Sequence, residues 1–460
     1  MPALSYGIGA YKRSTGNLPP LECINMFVEA AKTSDGGVCL ISRPGLGLLA
    51  TNGAGPVQGI FASKGTLNGD DFTVSGGNIY RGTTSLGTVA GTGPVKFAGG
   101  FGEILVTRGS TMRRYNGTTL ANVTFPDSAS VRSVCFIGSL FVAVRADTSG
   151  KFYWSAPLDG SSWNALNFAT AEREPDSLLD IAALGDNIWL FGQSTIEVWQ
   201  HTGDDALPFT RIEQIAFDKG VIDTGCLTAA DNSLFFIGSD AVVYRVQDVP
   251  ARVSDHWLEE KIAAASSWAL FSFKLHGHEY ICVRLSGTSG QTYVFDVATQ
   301  EWCEFQTNGG QWIAQCAAMK GTTVYLGHQS TGQILGFSEW DDLGVAMERR
   351  FTAATPLDTP LSIDNLRIWA NVGQAGASVT PTVSLRYSRD AGQTWSSYIN
   401  SDLGSAAAGG SDEYRVRPIW RRLGMFDDPG AMVEIKTSAA CSFRVSGVKI
   451  NEPGGGRSRT

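Results

Sequence analysis

One arrangement recurs along most of this chain and limits what it can fold into. A short β-rich run ends at a Gly- or Ser-rich turn, and a second run follows that closes on an aromatic residue. The copies are "FTVSGGNIY" to Tyr80, "ILVTRGSTMRRY" to Tyr115, "LFVAVRADTSGKFYW" to Trp154 and "IWLFGQSTIEVW" to Trp199. They continue with "LFFIGSDAVVY" to Tyr244, "YICVRLSGTSGQTYVF" to Phe295 and "VYLGHQSTGQILGF" to Phe337. The closing aromatics stand 35, 39, 45, 45, 51 and 42 residues apart. Most copies follow a further apolar segment ending near Gly, such as "VKFAGGFG" or "VRSVCFIG"; before the fifth copy only "CLTAADN" stands. A period of about 40–50 residues built from three or four short strands predicts β-propeller blades. One small twisted sheet cannot bury its faces alone, whereas radial stacking buries both and leaves only short edges. The spacing leaves six or seven blades open. A run of unrelated hairpins forming sandwiches is the alternative, and it has no reason to keep a sustained period.

The rhythm breaks after Gly344. The segments "IDNLRIWANVG", "TVSLRYSRDAGQTWSSYI", "DEYRVRPIWRRLGMF" and "MVEIKTSAACSFRVSGVKI" read as longer alternating strands. The expectation is therefore all-β: a propeller over 51–344 and a separate antiparallel β-sandwich over 345–452. The tail "NEPGGGRSRT" lacks apolar residues, and 453–460 should be disordered. The one helix candidate is "SDHWLEEKIAAASS", capped by Ser254 or Asp255, with Trp257, Ile262 and the Lys261 stem facing inward.

Charge separates the same two regions. Net charge is −8, but residues 1–344 hold 22 Lys and Arg against 33 Asp and Glu, and residues 345–460 hold 14 against 11. An acidic chain is no general electrostatic glue for nucleic acid. With 43% hydrophobic and 17% charged residues and 54 Gly, the composition is that of a folded, turn-rich protein. The eight cysteines sit singly without a Cys-x-x-Cys pair, which points to buried thiols rather than disulfides or metal. The start "MPALSYGIGAYKR" has no secretory apolar run, and no stretch approaches ~18 uninterrupted apolar residues, so membrane insertion is not expected.

Two local motifs could carry chemistry. "SRDAGQTW" matches the Asp-box pattern of sialidases and related propellers through Ser388, Asp390, Gly392, Thr394 and Trp395. Its residues also explain themselves as a turn: Asp390 accepts backbone N–H groups, Gly392 supplies a positive φ, Thr394 closes the loop and Trp395 packs beneath it. It offers no nucleophile and no paired acid, and it occurs once. A sialidase would also need an arginine triad and an Arg-Ile-Pro motif, whereas "ISRPGL" lacks the Ile. His276 and His278 flank Gly277 at a hairpin tip without a third ligand, and "TLNGDDF" lacks calcium-loop spacing. No catalytic, cofactor or metal residue is assigned, and no enzyme activity is expected. The second motif is "EYRVRPIWRRLG", where Arg415, Arg417, Arg421 and Arg422 surround Trp420 in the net-positive region. Read as a strand, it puts Arg415 and Arg417 on one face. Arg with Trp is the composition of interface hot spots, so these five residues form the candidate assembly interface, against a solvated strand edge.

The segments "CINMFVEAAKTSDGGVCLISRPGL" and "SLRYSRDAGQTWS", with the Arg-rich strand, resemble the tail hub or nozzle proteins of short-tailed bacteriophages, also called packaged-DNA stabilisation proteins. The carrying patterns are Asn25 to Glu29, Arg43 to Leu46, and Trp-Arg-Arg-Leu-Gly. The resemblance implies a structural virion protein: a homohexameric ring below the portal and its adaptor, or head-to-tail connector. Such a ring closes the DNA exit channel, carries receptor-binding spikes or fibres, can hold a tail needle or plug, and touches DNA only transiently and non-specifically. It would assemble in the host cytoplasm, with residues 1–50 an N-terminal arm at the sandwich and ring interface. The competing expectation is a carbohydrate-binding or sialidase-like β-propeller.

Overall fold

The repeated hairpins pair as their alternation dictates. In the computed structural model, which describes residues 4–12, 18–31, 37–171, 176–287, 290–338, 340–375, 381–405 and 413–452, "FTVSGGNIY" supplies parts of the strands Asp71–Ser75 and Asn78–Arg81. They turn at Gly76 and Gly77, both at positive φ, where a side chain would be strained. The expected tail 453–460 lies outside the described residues.

Four-stranded antiparallel sheets follow one another along the chain. The first comprises Val57–Ala62, Asp71–Ser75, Asn78–Arg81 and Thr84–Thr88; the second Val95–Gly100, Glu103–Arg108, Thr111–Tyr115 and Leu120–Asn122. The third comprises Val131–Ile137, Leu140–Arg145, Lys151–Ala156 and Asp159–Thr170; the fourth Leu178–Leu184, Asn187–Gly192, Ile196–His201 and Phe209–Phe217. The fifth comprises Leu227–Ala230, Ser233–Ile237, Val243–Val246 and Pro250–Arg252; in the sixth, Ser267–Leu275, His278–Ser286, Gln291–Asp296 and Glu301–Thr307 pair in order. The last sheet takes Ala314–Lys320, Thr323–His328 and Gln333–Phe337, and its fourth strand, Leu46–Thr51, comes from the start of the chain, with Leu48 opposite Leu335. First strands of successive sheets touch in a closed cycle that returns from Ala314–Lys320 to Val57–Ala62.

The seven recurring aromatics all lie on third strands. There they pack on neighbouring strands and sheets: Tyr115 on Phe72 at 5.8 Å, Phe295 on Phe235 at 6.4 Å, and Phe337 on Phe273 at 5.3 Å. A large ring at that position fills the wedge between two twisted sheets.

Beyond Gly344 the strands join two further layers. The outer strand Glu301–Thr307 pairs in parallel with Cys23–Ile24, and the sheet continues through Arg349–Pro356, Gly430–Thr437, Thr382–Ser388 and Ile399–Asp402. A five-stranded sheet runs Met26–Ala30, Val38–Ser42, Arg444–Ile450, Leu361–Ala370 and Ile419–Phe426. Phe351, Val433 and Ile435 of one layer and Ile363, Leu366 and Val448 of the other belong to one apolar core.

Two local expectations change. The strand expected over "EYRVR" is absent: Glu413–Arg415 is a 3-10 turn and the strand starts at Ile419, because Pro418 donates no N–H and pushes the preceding residue out of regular pairing. The helix is His256–Ala264, with Leu258, Glu259 and Ile262 buried. Lys261 is exposed, its ammonium 5.3 Å from the half-buried Trp257 ring. Glu259 is buried because Arg252 and Ser254 bind its carboxylate at 2.6 and 2.8 Å. The cysteines are unpaired, seven buried and Cys316 half-buried. Among the described residues no helix is long and apolar enough to cross a membrane.

Candidate assembly interface

The motif residues of the N-terminal segment form a buried latch. Asn25 sits at φ 55°, which turns the chain from Cys23–Ile24 into the other layer. Its side-chain oxygen accepts from Arg43 Nε at 2.8 Å and from the Gln306 N–H at 2.9 Å, and its amide donates to Glu348 O at 2.8 Å. Arg43 is fully buried, bonded to Asp342 through Nη1 at 3.0 Å and Nη2 at 2.6 Å, and it also donates to the carbonyls of Pro44 and Gln306. Arg349, also fully buried, donates to Ala439 O and Trp340 O. These cations hold three chain segments at one junction. For Arg43 the motif "ISRPGL" carried no hint of that, because its carboxylate partner Asp342 lies about 300 residues away.

His278 forms a second tie that the hairpin-tip interpretation missed. His276 does occupy the tip, at φ 52°, but His278 begins the next strand and is buried. Its Nδ1 lies 2.6 Å from Asp296 Oδ2 and its Nε2 lies 2.8 Å from Glu29 Oε2. Burial lowers the imidazole pKa, the bonds to Asp296 and Glu29 raise it, and the net shift is upward. The sequence signal was Glu29 itself, visible only once Met26–Ala30 is placed against the sixth sheet.

The Asp-box closes on itself. Ser388 Oγ donates to Asp390 Oδ1 at 2.7 Å and accepts the Gly392 N–H at 2.8 Å. Asp390 accepts the Thr394 N–H at 2.8 Å and its hydroxyl at 2.5 Å, and these bonds hold the carboxyl down at about 2. Gly392 has φ 86°. Trp395 is half-buried, with the Arg386 guanidinium 4.7 Å from its ring centroid. The polar groups of the box are thus occupied within the turn. Among the described residues no group of three or more His, Cys, Asp or Glu side chains is arranged to hold a metal.

The Arg–Trp cluster separates into a core anchor and a surface. Trp420 is buried and donates Nε1–H to Ile399 O at 2.7 Å, pinning the two layers together. Arg415, Arg417, Arg421 and Arg422 are exposed. A bulge between the pairs Ile363–Gly424 and Asn365–Arg421, with Arg422 at φ 58°, lets two consecutive arginines face solvent while Leu423 returns to the core. Ile419–Phe426 is an edge strand, and exposed Tyr414 and Met425 flank the cations. On the neighbouring strand exposed Trp369 lies under Arg367 at 4.4 Å. A cleft of ≈ 850 Å³ opens elsewhere, beside the helix start, between Lys12, Arg252, Asp255 and Trp302; Arg252 is already committed to Glu259 there.

A family model described as "Bacteriophage P22 Gp10, beta-propeller" matches residues 6–336. The tail hub protein gp10 of Salmonella phage P22 is 26% identical over 268 residues, covering 51% of this chain and 55% of that protein. The chain thus spans about half the length of this curated relative. Similar solved structures include U3-55K, with TM-score 0.41 and 9% identity over 64% of this chain and 99% of that one. The WD40 repeats of RRP9 give TM-score 0.38 and 9% identity over 65% and 99%.

Proposed function

We propose a tail-hub function from one premise: this chain belongs to the family of the bacteriophage P22 Gp10 β-propeller. It acts as a structural, non-enzymatic part of a short-tailed virion. Copies form a ring, homohexameric in our proposal, below the portal and adaptor. The ring closes the DNA exit channel, retains packaged DNA and carries spikes or fibres. The match across residues 6–336 carries this proposal.

Physical features support it. The cycle of four-stranded sheets suits a seven-bladed propeller over 51–344, closed by Leu46–Thr51, with a sandwich over 345–452 that residues 1–50 join through Met26–Ala30 and Val38–Ser42. The buried Arg43–Asp342 pair and the Glu29–His278 pair tie the N-terminal segment to the cycle of sheets, which suits a load-bearing structural part. The acidic propeller half suits a conduit wall, because each Lys or Arg on phosphate adds a counterion-release contribution that favours sticking. The exposed arginines and Tyr414 and Met425 suit a protein contact within the tail. The test is DNA retention in particles assembled with and without the protein. Particles lacking it should lose packaged DNA, and restored protein should retain it; equal retention in both would overturn the proposal.

A further inference from the structure

The large apolar side chains that the propeller's turns leave exposed all lie at one end of it. In an up-and-down sheet of four strands, the first and third turns share one end; the second turn and the link to the next sheet share the other. Phe101 is 65% exposed in a first turn, and Leu158, Leu207 and Val249 are 50%, 69% and 66% exposed in third turns of the next three sheets. Among the described residues the opposite turns carry no exposed large apolar side chain. Solvent gives no reason for such a bias, whereas a covered end does.

Carboxylates ring these tips. Asp186, Asp204, Asp205 and Asp248 are exposed on turns at the same end, and among the described residues none forms an ion pair. Leu207 is held outward by a built turn: Asp204 Oδ1 accepts the N–H groups of Ala206 and Leu207 at 2.7 and 3.0 Å, and Thr202 Oγ1 donates to Leu207 O at 2.7 Å. Beside it a small cleft opens between Trp154, Pro157, Asn167, His201 and Asp205. Apolar anchors in an acidic rim call for a partner with apolar anchors in a basic rim. The same chain presents one: Tyr414 and Met425, 59% and 57% exposed, among Arg415, Arg417 and Arg422, which form no ion pair among the described residues.

We infer that the acidic, apolar turn end of one copy's propeller seats the basic Tyr414–Met425 surface of a second copy. The contact joins two different patches, so it is heterologous and propagates head to tail, closing where the rotation allows. It rests on the tail-hub proposal and names the partner of that basic surface.

Charge reversal tests it on the full chain, alone and bound to portal–adaptor complexes. Self-association is read by cross-linking and native mass, and folding by circular dichroism. D205K/D248K, which leaves the Asp204 turn intact, and R415E/R417E should each weaken self-association by more than about tenfold. A 1:1 mixture of the two variants should restore it, because each reversed patch then meets its complement. Either variant associating like the native chain, or a folded mixture that stays apart, overturns the inference. A chain that binds the complexes only as isolated copies also overturns it while leaving tail attachment standing. A chain that associates with itself but never binds the complexes does the opposite.

Discussion

His278 has a carboxylate oxygen within bonding distance of each ring nitrogen, and only the imidazolium can donate to both. Its raised pKa fixes the sign of the pH effect. The stabilisation is fully present below the unfolded histidine value of about 6.5 and is lost as pH rises through the higher folded value. His278→Gln should therefore melt below the native chain at about pH 6, and the gap should shrink toward about pH 9. A gap that stays constant over that range would remove the imidazolium from the account. Asp390 behaves oppositely. Its carboxyl is held at about 2 by the Thr394 hydroxyl and N–H and the Ser388 hydroxyl. Its stabilisation holds above the unfolded value near ~3.9 and is lost as pH falls through about 2. Asp390→Ala should lower the melting temperature at neutral pH, with the gap narrowing in acid, and should leave particle assembly unchanged. Loss of a glycosidase activity in that variant would return the box to carbohydrate chemistry.

Elements differ in how plainly the sequence shows them, and burial explains the difference. Second and third strands such as Ser233–Ile237 and Val243–Val246 are almost wholly buried, so they read as apolar runs closing on an aromatic. Fourth strands such as Thr84–Thr88, Leu120–Asn122 and Pro250–Arg252 lie at the exposed edge and give no such signal. Leu46–Thr51 was illegible for another reason: it completes a sheet whose other strands lie almost 300 residues away. Arg415 and Arg417 looked like strand residues by alternation alone, and Pro418 overrode it. The Arg43 latch was visible as a motif but not as a contact. Arg43→Met leaves Asp342 buried without its cation and should cost about 3–5 kcal/mol, read as a fall in the denaturation midpoint. Adding Asp342→Leu should recover more than half of that loss. A double variant as unstable as the single one would show that the latch acts through packing alone.

The whole molecule combines an acidic cycle of sheets with a basic, aromatic edge, and the central claim is that this edge serves assembly. Charge alone gave that division from the sequence; the bulge that exposes Arg421 and Arg422 together came only from the structure. Arg415→Ala with Arg417→Ala removes two exposed charges, so folding stability should change by no more than about 0.5 kcal/mol. Docking should weaken as salt screens the same surface, since the Debye length falls to about 3 Å at 1 M. The most direct measurement is the native mass of the full chain mixed with portal–adaptor complexes, for the native sequence and for this double variant. The account predicts that the native chain adds to the complex as a closed set of copies and that the folded double variant does not form that set. A native chain that remains separate, or a double variant that joins at the native yield, would contradict it.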